Sequence, residues 1–264
     1  MATNYKELNE GRYTTLHDYT HLSPLEKMYF NFSPGTIVIR RLFSILDNYL
    51  KKSSLKKPLI LDVGCGGGMK ELSQRGQVTG IDISETSIKN AKKIYHKAIA
   101  YDLSKKYPFP DESFDIVFCS EVYGHIAVKD KEHFMSEIHR VLKKDGFFLF
   151  SIETDGKNWL TDYLRRSHRY QELWVDYDGH IGLETPYKTI RRFKKLYKDL
   201  NITVNNTYIF TIDELASVFP LVQTLTKNQQ IRRGLNLLTA PLYALSIRIC
   251  RLSSANNICI YGKK

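Results

Sequence analysis

The chain has 264 residues, with 39 Lys+Arg against 28 Asp+Glu and a formal net charge of +11. Hydrophobic residues make up 42% and charged residues 25%, proportions that exclude a disordered, collagenous or disulfide-scaffold chain. Residues 1–155 carry 22 basic and 20 acidic side chains, whereas residues 156–264 carry 17 and 8, so the basicity belongs to the second half. Such an excess raises nucleic acid, an anionic membrane or an acidic substrate as partners. Four cysteines (Cys65, Cys119, Cys250, Cys259), without a CxxC pair or zinc-spaced histidines, predict a reduced cytoplasmic setting and no metal site. The start MATNYKELNEGRY lacks the apolar core of a signal peptide, and no uninterrupted apolar run of about 18 residues predicts a membrane span.

Two helices are expected first. Ser23-Pro24-Leu25-Glu26 is a capping box opening a short helix through Phe30. Ser33-Pro34 opens a longer one with an apolar stripe (Ile37, Leu42, Ile45, Leu46, Tyr49), closed by Lys51 and Lys52. From Lys57 strands alternate with helices: strands at 58–63, 77–82, 98–102, 114–119 and 146–151, and helices from about Lys70, over 84–96 and over 131–143. Beyond residue 155 a basic helix is expected at 187–200 and a strand at 202–210. A short helix over 213–219 and a last strand at 257–261 follow. Alternation of this kind implies an α/β fold with a parallel sheet covered on both faces.

The sharpest feature is Leu59-Ile60-Leu61-Asp62-Val63-Gly64-Cys65-Gly66-Gly67-Gly68, a strand running into a glycine turn. Glycine lets backbone approach a ligand closely, and the helix that follows presents unpaired N–H groups. Met69 stands where a dinucleotide fingerprint needs glycine or alanine, and Asp62 would repel a pyrophosphate. Asp82 ends the second strand, 20 residues after Asp62, and Asp102 ends the third after another 20. Three carboxylates around a glycine loop suit a ligand with an ammonium, a ribose and an adenine, but no phosphates.

The blocks LDVGCGGG (61–68), GIDIS (80–84), AYDL (100–103), PFPDESFDIVFCSEVYGHI (108–126) and FMSEIHRVLKKDGFFLFS (134–151) resemble the class I S-adenosylmethionine-dependent methyltransferases. They are most similar to the quinone-biosynthesis, type 11 branch. The resemblance implies a Rossmann-like, doubly wound, mostly parallel seven-stranded sheet with N-terminal helices and an acceptor-side insertion. It divides one methyltransferase domain, 1–264, into an N-terminal helical lid (1–56), a cofactor-binding core (57–155) and an acceptor-side and C-terminal part (156–264). S-adenosyl-L-methionine is the implied cofactor and S-adenosyl-L-homocysteine its product. Asp62, Gly64, Cys65 and Gly66 would line its methionine part, Gly68 would belong to the same cofactor-binding loop, and Asp82 would hold its ribose. Ile83 would pack on the adenine, Asp102 and Leu103 would meet its edge, and Ser120 and Glu121 would form the floor beside the methyl group.

For the transfer itself, His125 is the candidate general base, needed only where the acceptor must lose a proton; the alternative is a structural histidine fixing its loop. The family usually has glutamate where Gly124 stands, a departure expected to enlarge the pocket beside Tyr123. Tyr13, Tyr19 and His21 are lid candidates, and His180 resembles an acceptor-side position. No clustered carboxylates beyond the fourth strand are foreseen, and hence no metal. The acceptor is expected to be a small or lipid-like molecule. Alternatives are a tRNA or other RNA methyltransferase using the basic half, or a non-catalytic cofactor-binding partner subunit. In the stretch 234–252, Leu242, Leu245, Ile249 and Leu252 fall on one helical face beside Arg248 and Arg251, after Pro241 as a starter. That segment reads either as a core-packing helix or as a peripheral membrane contact.

Overall fold

The computed structural model describes residues 34–167, 179–206, 212, 215, 216 and 219–264. The capping-box helix ending at Phe30, the lid candidates Tyr13, Tyr19 and His21, and most of the helix expected at 213–219 lie outside them. In chain order the elements begin with α1 (Pro34–Lys52), β1 (Leu59–Val63), α2 (Lys70–Ser73), β2 (Gln77–Asp82), α3 (Glu85–Ala91), β3 (Lys97–Ala100) and β4 (Phe114–Ser120). They continue with a 3-10 turn at Tyr123–His125, α4 (Lys131–Val141), β5 (Leu142–Glu153), α5 (Trp159–Arg166) and α6 (Pro186–Leu196). The last are β6 (Leu200–Asn206), α7 (Pro220–Thr226), α8 (Gln229–Ile249) and β7 (Asn257–Lys263).

The seven strands form one sheet in the order β3-β2-β1-β4-β5-β7-β6. The first five are parallel, and β7 runs antiparallel between β5 and β6, so the sheet is mixed but mostly parallel. Strand side chains alternate between two cores. On one face Ile60, Ile116, Phe118, Phe147 and Leu149 pack with Val38, Leu42 and Leu46 of α1. On the other, Leu61, Val117, Phe148 and Phe150 pack with Phe134 and Ile138 of α4 and Phe193 of α6. Strands buried on both faces read as continuous apolar runs, which is why β1 is so plain in the sequence.

Several boundaries differ from expectation. Helix α3 stops at Ala91 rather than His96, because the chain tightens into turns in which Lys93 N–H bonds Asn90 O and Ile94 N–H bonds Ala91 O. Helix α6 ends at Leu196, and β3 ends at Ala100, leaving Asp102 in the turn beyond. Helix α8 runs straight through Pro241 instead of starting there, and Leu252 falls in a separate 3-10 turn. Proline forfeits one backbone hydrogen bond in mid-helix and none at a helix start, but its sequence alone does not tell the two apart. Helices α5 and α7 had no counterpart in the sequence reading.

Candidate functional site

Strand order reverses between β1 and β4, so the carboxyl ends of those strands open a crevice, the general ligand site of such sheets. The glycine loop lies there. Gly64, Gly66 and Gly68 hold φ values of +70°, +51° and +86°, a left-handed region that side chains disfavour. A Cβ on Gly64 would stand 2.2 Å from a Val122 methyl, so the loop is closed to any larger residue. The backbone N–H groups of Gly64 and Cys65 both donate to Ile81 O, tying the loop to β2.

Asp82 accepts from Gly66 N–H (2.9 Å) through one carboxylate oxygen and from Ser84 N–H (2.9 Å) through the other. It therefore shapes the loop as well as carrying charge into it. Asp62 is buried, and the Tyr95 hydroxyl donates to it at 2.6 Å while accepting from Met69 N–H at 2.8 Å. Burial pushes the Asp62 carboxyl up to about 7, with the Tyr95 bond pulling the other way and Asp82 adding like charge. Tyr95 is a site residue the sequence reading missed; it stands in a stretch read as helix, which hid its return to the loop. Asp102 accepts from Ser104 N–H and its hydroxyl, capping the turn after β3. Ile83 is half-buried, whereas Leu103 is buried in the core and packs with the sheet.

A second cluster sits at the ends of β4 and β5. Glu121 follows β4 with φ +59°, an uncommon left-handed residue, held by its N–H to Ser151 O and by Asn257 Nδ2 donating to its carboxylate at 3.2 Å. Its carboxyl is pushed up by the protein around it and by Glu153, although its surface stays open to the crevice. Burial would raise Glu153 too, but His180 and His125 outweigh it and hold that carboxyl below its ordinary value. His180 Nε2 lies 2.5 Å from Glu153 Oε2, and His125 Nε2 lies 4.0 Å from the same oxygen. The two imidazoles stack with centroids 4.7 Å apart. His125 Nδ1 faces Gly179 O at 3.1 Å, so that nitrogen carries the proton and Nε2 is the acceptor of the neutral ring.

Two expectations are corrected here. Carboxylates do gather beyond β4: Ser120 pairs with Ser151 in the sheet, so Glu121 and Glu153 emerge side by side despite 32 positions between them. Gly124 does not enlarge a pocket, because a Cβ there would meet His180 Cδ2 and Leu183 Cδ2 at 3.2 Å, and Glu153 Oε2 at 3.5 Å. The missing side chain is the room that His180 occupies. Tyr123 is 1% exposed and hydrogen-bonds Glu184 (3.2 Å), which makes it part of the loop's support. Beneath it the fully buried Lys131 donates to Tyr123 O at 2.5 Å and sits over the Tyr123 ring. Burial brings this ammonium down to about 7, against the pull of Glu184.

The ligand atoms of His125, Glu153 and His180 all lie within 4.8 Å of one another, a donor set of the kind that can hold a divalent cation. Two donors on one tetrahedral zinc stand about 3.3 Å apart. His180 Nε2 and Glu153 Oε2 are instead in direct hydrogen-bond contact at 2.5 Å.

Residues 61–150 match the model of a methyltransferase domain. That match takes in the glycine loop and the strand-end acids just described, so residues 61–150 are a methyltransferase domain, similar to that of the class I S-adenosylmethionine-dependent methyltransferases. Over 122 residues, 41% of this chain, it is 34% identical to a ubiquinone biosynthesis O-methyltransferase of Idiomarina loihiensis. The match spans 48% of that relative, so the chain spans about half the length of the curated relatives it matches. A phosphoethanolamine N-methyltransferase 2 of Haemonchus contortus, solved with S-adenosyl-L-methionine, aligns over 99% of this chain and 60% of its own. Its TM-score is 0.59 at 19% identity, a likeness of fold. A methyltransferase structure from Bacillus halodurans gives 0.51 at 20% identity, over 84% of this chain and 99% of its own.

The residues present fit the cofactor the family uses. A glycine cradle closed to any Cβ, with buried Asp62 beside it and Asp82 at its rim, suits a ligand bearing an ammonium and ribose hydroxyls.

Proposed function

We propose that this methyltransferase transfers the methyl of S-adenosyl-L-methionine to a hydroxyl of a small or lipid-like acceptor. Asp62, Gly64, Cys65, Gly66 and Gly68 would hold the methionine part, Asp82 the ribose, and Ile83, Asp102 and Leu103 the adenine side. Ser120 and Glu121 would form the floor. When bound, the cofactor supplies an activated methyl group.

The rest falls to the chain's own residues. His125 Nε2 accepts the acceptor's hydroxyl proton, and Glu153, 4.0 Å away, stabilises the imidazolium that forms. His180 holds Glu153 in place through the 2.5 Å bond, acting as a positioning residue. Holding the acceptor in line with the methyl carbon contributes the remainder of the rate.

The single observation that carries this reading is the convergence of His125 and His180 on one Glu153 oxygen at the crevice floor. The quinone-pathway O-methyltransferase likeness supports a phenolic hydroxyl as the acceptor. An RNA acceptor draws less support, because Glu184 and Glu132 already pair with Lys188, Arg192 and Lys195 of the basic helix α6. The test is transfer of labelled methyl to catechol-type phenols with and without a chelator. Labelled ether that persists under the chelator supports it; label that appears only with added divalent cation overturns the metal-free proton path.

A further inference from the structure

Helix α8 carries an apolar stripe that is exposed among the described residues. Ile231, Leu238, Leu242, Leu245 and Ile249 are 42%, 74%, 51%, 53% and 71% exposed. Their spacings of 7, 4, 3 and 4 residues bring all five within a strip about 60° wide on a helix of 3.6 residues per turn. The opposite side faces the protein, with Ala240 6% exposed. Short α7 packs beside α8 and adds Leu221, 72% exposed, to the same region. Five large aliphatic side chains in one file form a patch of the kind that marks an interaction surface.

Charge decides what the surface meets. From residue 215 to residue 264 the sequence contains no Asp or Glu, while Lys227, Arg232, Arg233, Arg248 and Arg251 bracket the stripe. All five of these side chains are exposed. A second copy of the chain would bring this cationic rim against its own like. A nucleic-acid surface would leave the leucine file without a partner. A bilayer with anionic headgroups answers both features, taking the aliphatic file at the acyl boundary and the arginines at the phosphates. No helix among the described residues is long and apolar enough to cross a membrane, so the geometry is that of a helix lying in the interface plane.

We propose that α8, with α7 beside it, docks this methyltransferase onto anionic membrane surfaces through the Ile231–Ile249 stripe and its arginine rim. This goes beyond the methyl-transfer reading and stands or falls independently of it. The test is co-sedimentation of the full chain with phosphatidylcholine vesicles, with and without phosphatidylglycerol. The expected result is binding to the anionic vesicles alone, weakening as salt is raised. Leu242→Ser with Leu245→Ser should weaken it roughly tenfold through lost apolar burial. Arg248→Gln with Arg251→Gln should cost roughly fivefold per arginine. All four residues are exposed, so these variants are expected to melt like the parent. Absence of binding to anionic vesicles overturns the proposal, as does binding that both double variants retain. So does a parent dimer that the leucine pair abolishes, since a second copy would then be what covers the stripe.

Discussion

Glu153 and His180, 27 positions apart, meet at 2.5 Å directly over Gly124, and no side chain stands between them. The residue that departs from the usual family block is therefore the one that lets this pair form. Gly124→Glu, which restores that block, should force His180 from Glu153. The expected cost is about 1–3 kcal/mol of stability from overpacking, together with a fall in turnover. Thermal denaturation beside a methyl-transfer assay checks it, and an unchanged melting temperature would mean that the site is roomier than its geometry.

Replacing the proton-handling groups should separate base from positioner. His125→Ala should lower kcat on the order of 100-fold or more, and lower it least for acceptors already ionised. His180→Gln should leave a smaller loss, because glutamine still offers a donor to Glu153. Rate–pH profiles for both variants on phenols of different acidity decide the assignment; identical losses at every acidity would make His125 merely structural.

Asp62, if it holds the cofactor as proposed, should make cofactor binding pH-dependent. Its folded pKa, about 7, stands above the ordinary 3.8, so its contribution to the unliganded fold is present at low pH and is lost as pH rises through 7. An ammonium-bearing ligand prefers the ionised form. Affinity for S-adenosylhomocysteine should therefore rise about tenfold between pH 6 and pH 8, and Asp62→Asn should flatten that dependence. Calorimetric titration at the two pH values checks it.

Buried Lys131 has the opposite sign. Its folded pKa of about 7 lies below the ordinary 10.5, so the unfolded chain binds the proton better and stability rises as pH climbs from 7 toward 10.5. Lys131→Met should remove that rise in melting temperature. A variant that keeps the parent's slope would mean that another group titrates.

Gly64→Ala tests the glycine cradle. A methyl at φ +70°, 2.2 Å from Val122, should destabilise by about 2–4 kcal/mol and weaken cofactor binding. Denaturant titration measures the first and calorimetry the second.

What the sequence reveals follows from locality. Strand β1, Leu59–Val63, is legible because a buried parallel strand reads as a short apolar run, and Asp82 is legible as an acid at the end of β2. Glu153 is not legible as a site residue, and the contact of the acceptor-side candidate His180 with it is hidden, since only the β4–β5 register and the return of the loop before α6 bring them to His125. Tyr95 was hidden for the same reason: its partners Asp62 and Met69 are 33 and 26 positions away. The exposure of the α8 stripe was equally invisible, because a leucine file at helical spacing reads alike whether it faces core or solvent.

The most direct measurement is incubation of the protein with methyl-labelled S-adenosylmethionine and separate small-phenol, lipid-extract and RNA fractions. The expected products are labelled ethers of hydroxyl acceptors, lost in His125→Ala and weakened in Asp82→Ala. Label confined to RNA, or tight S-adenosylhomocysteine binding with no labelled product in any fraction, would contradict it.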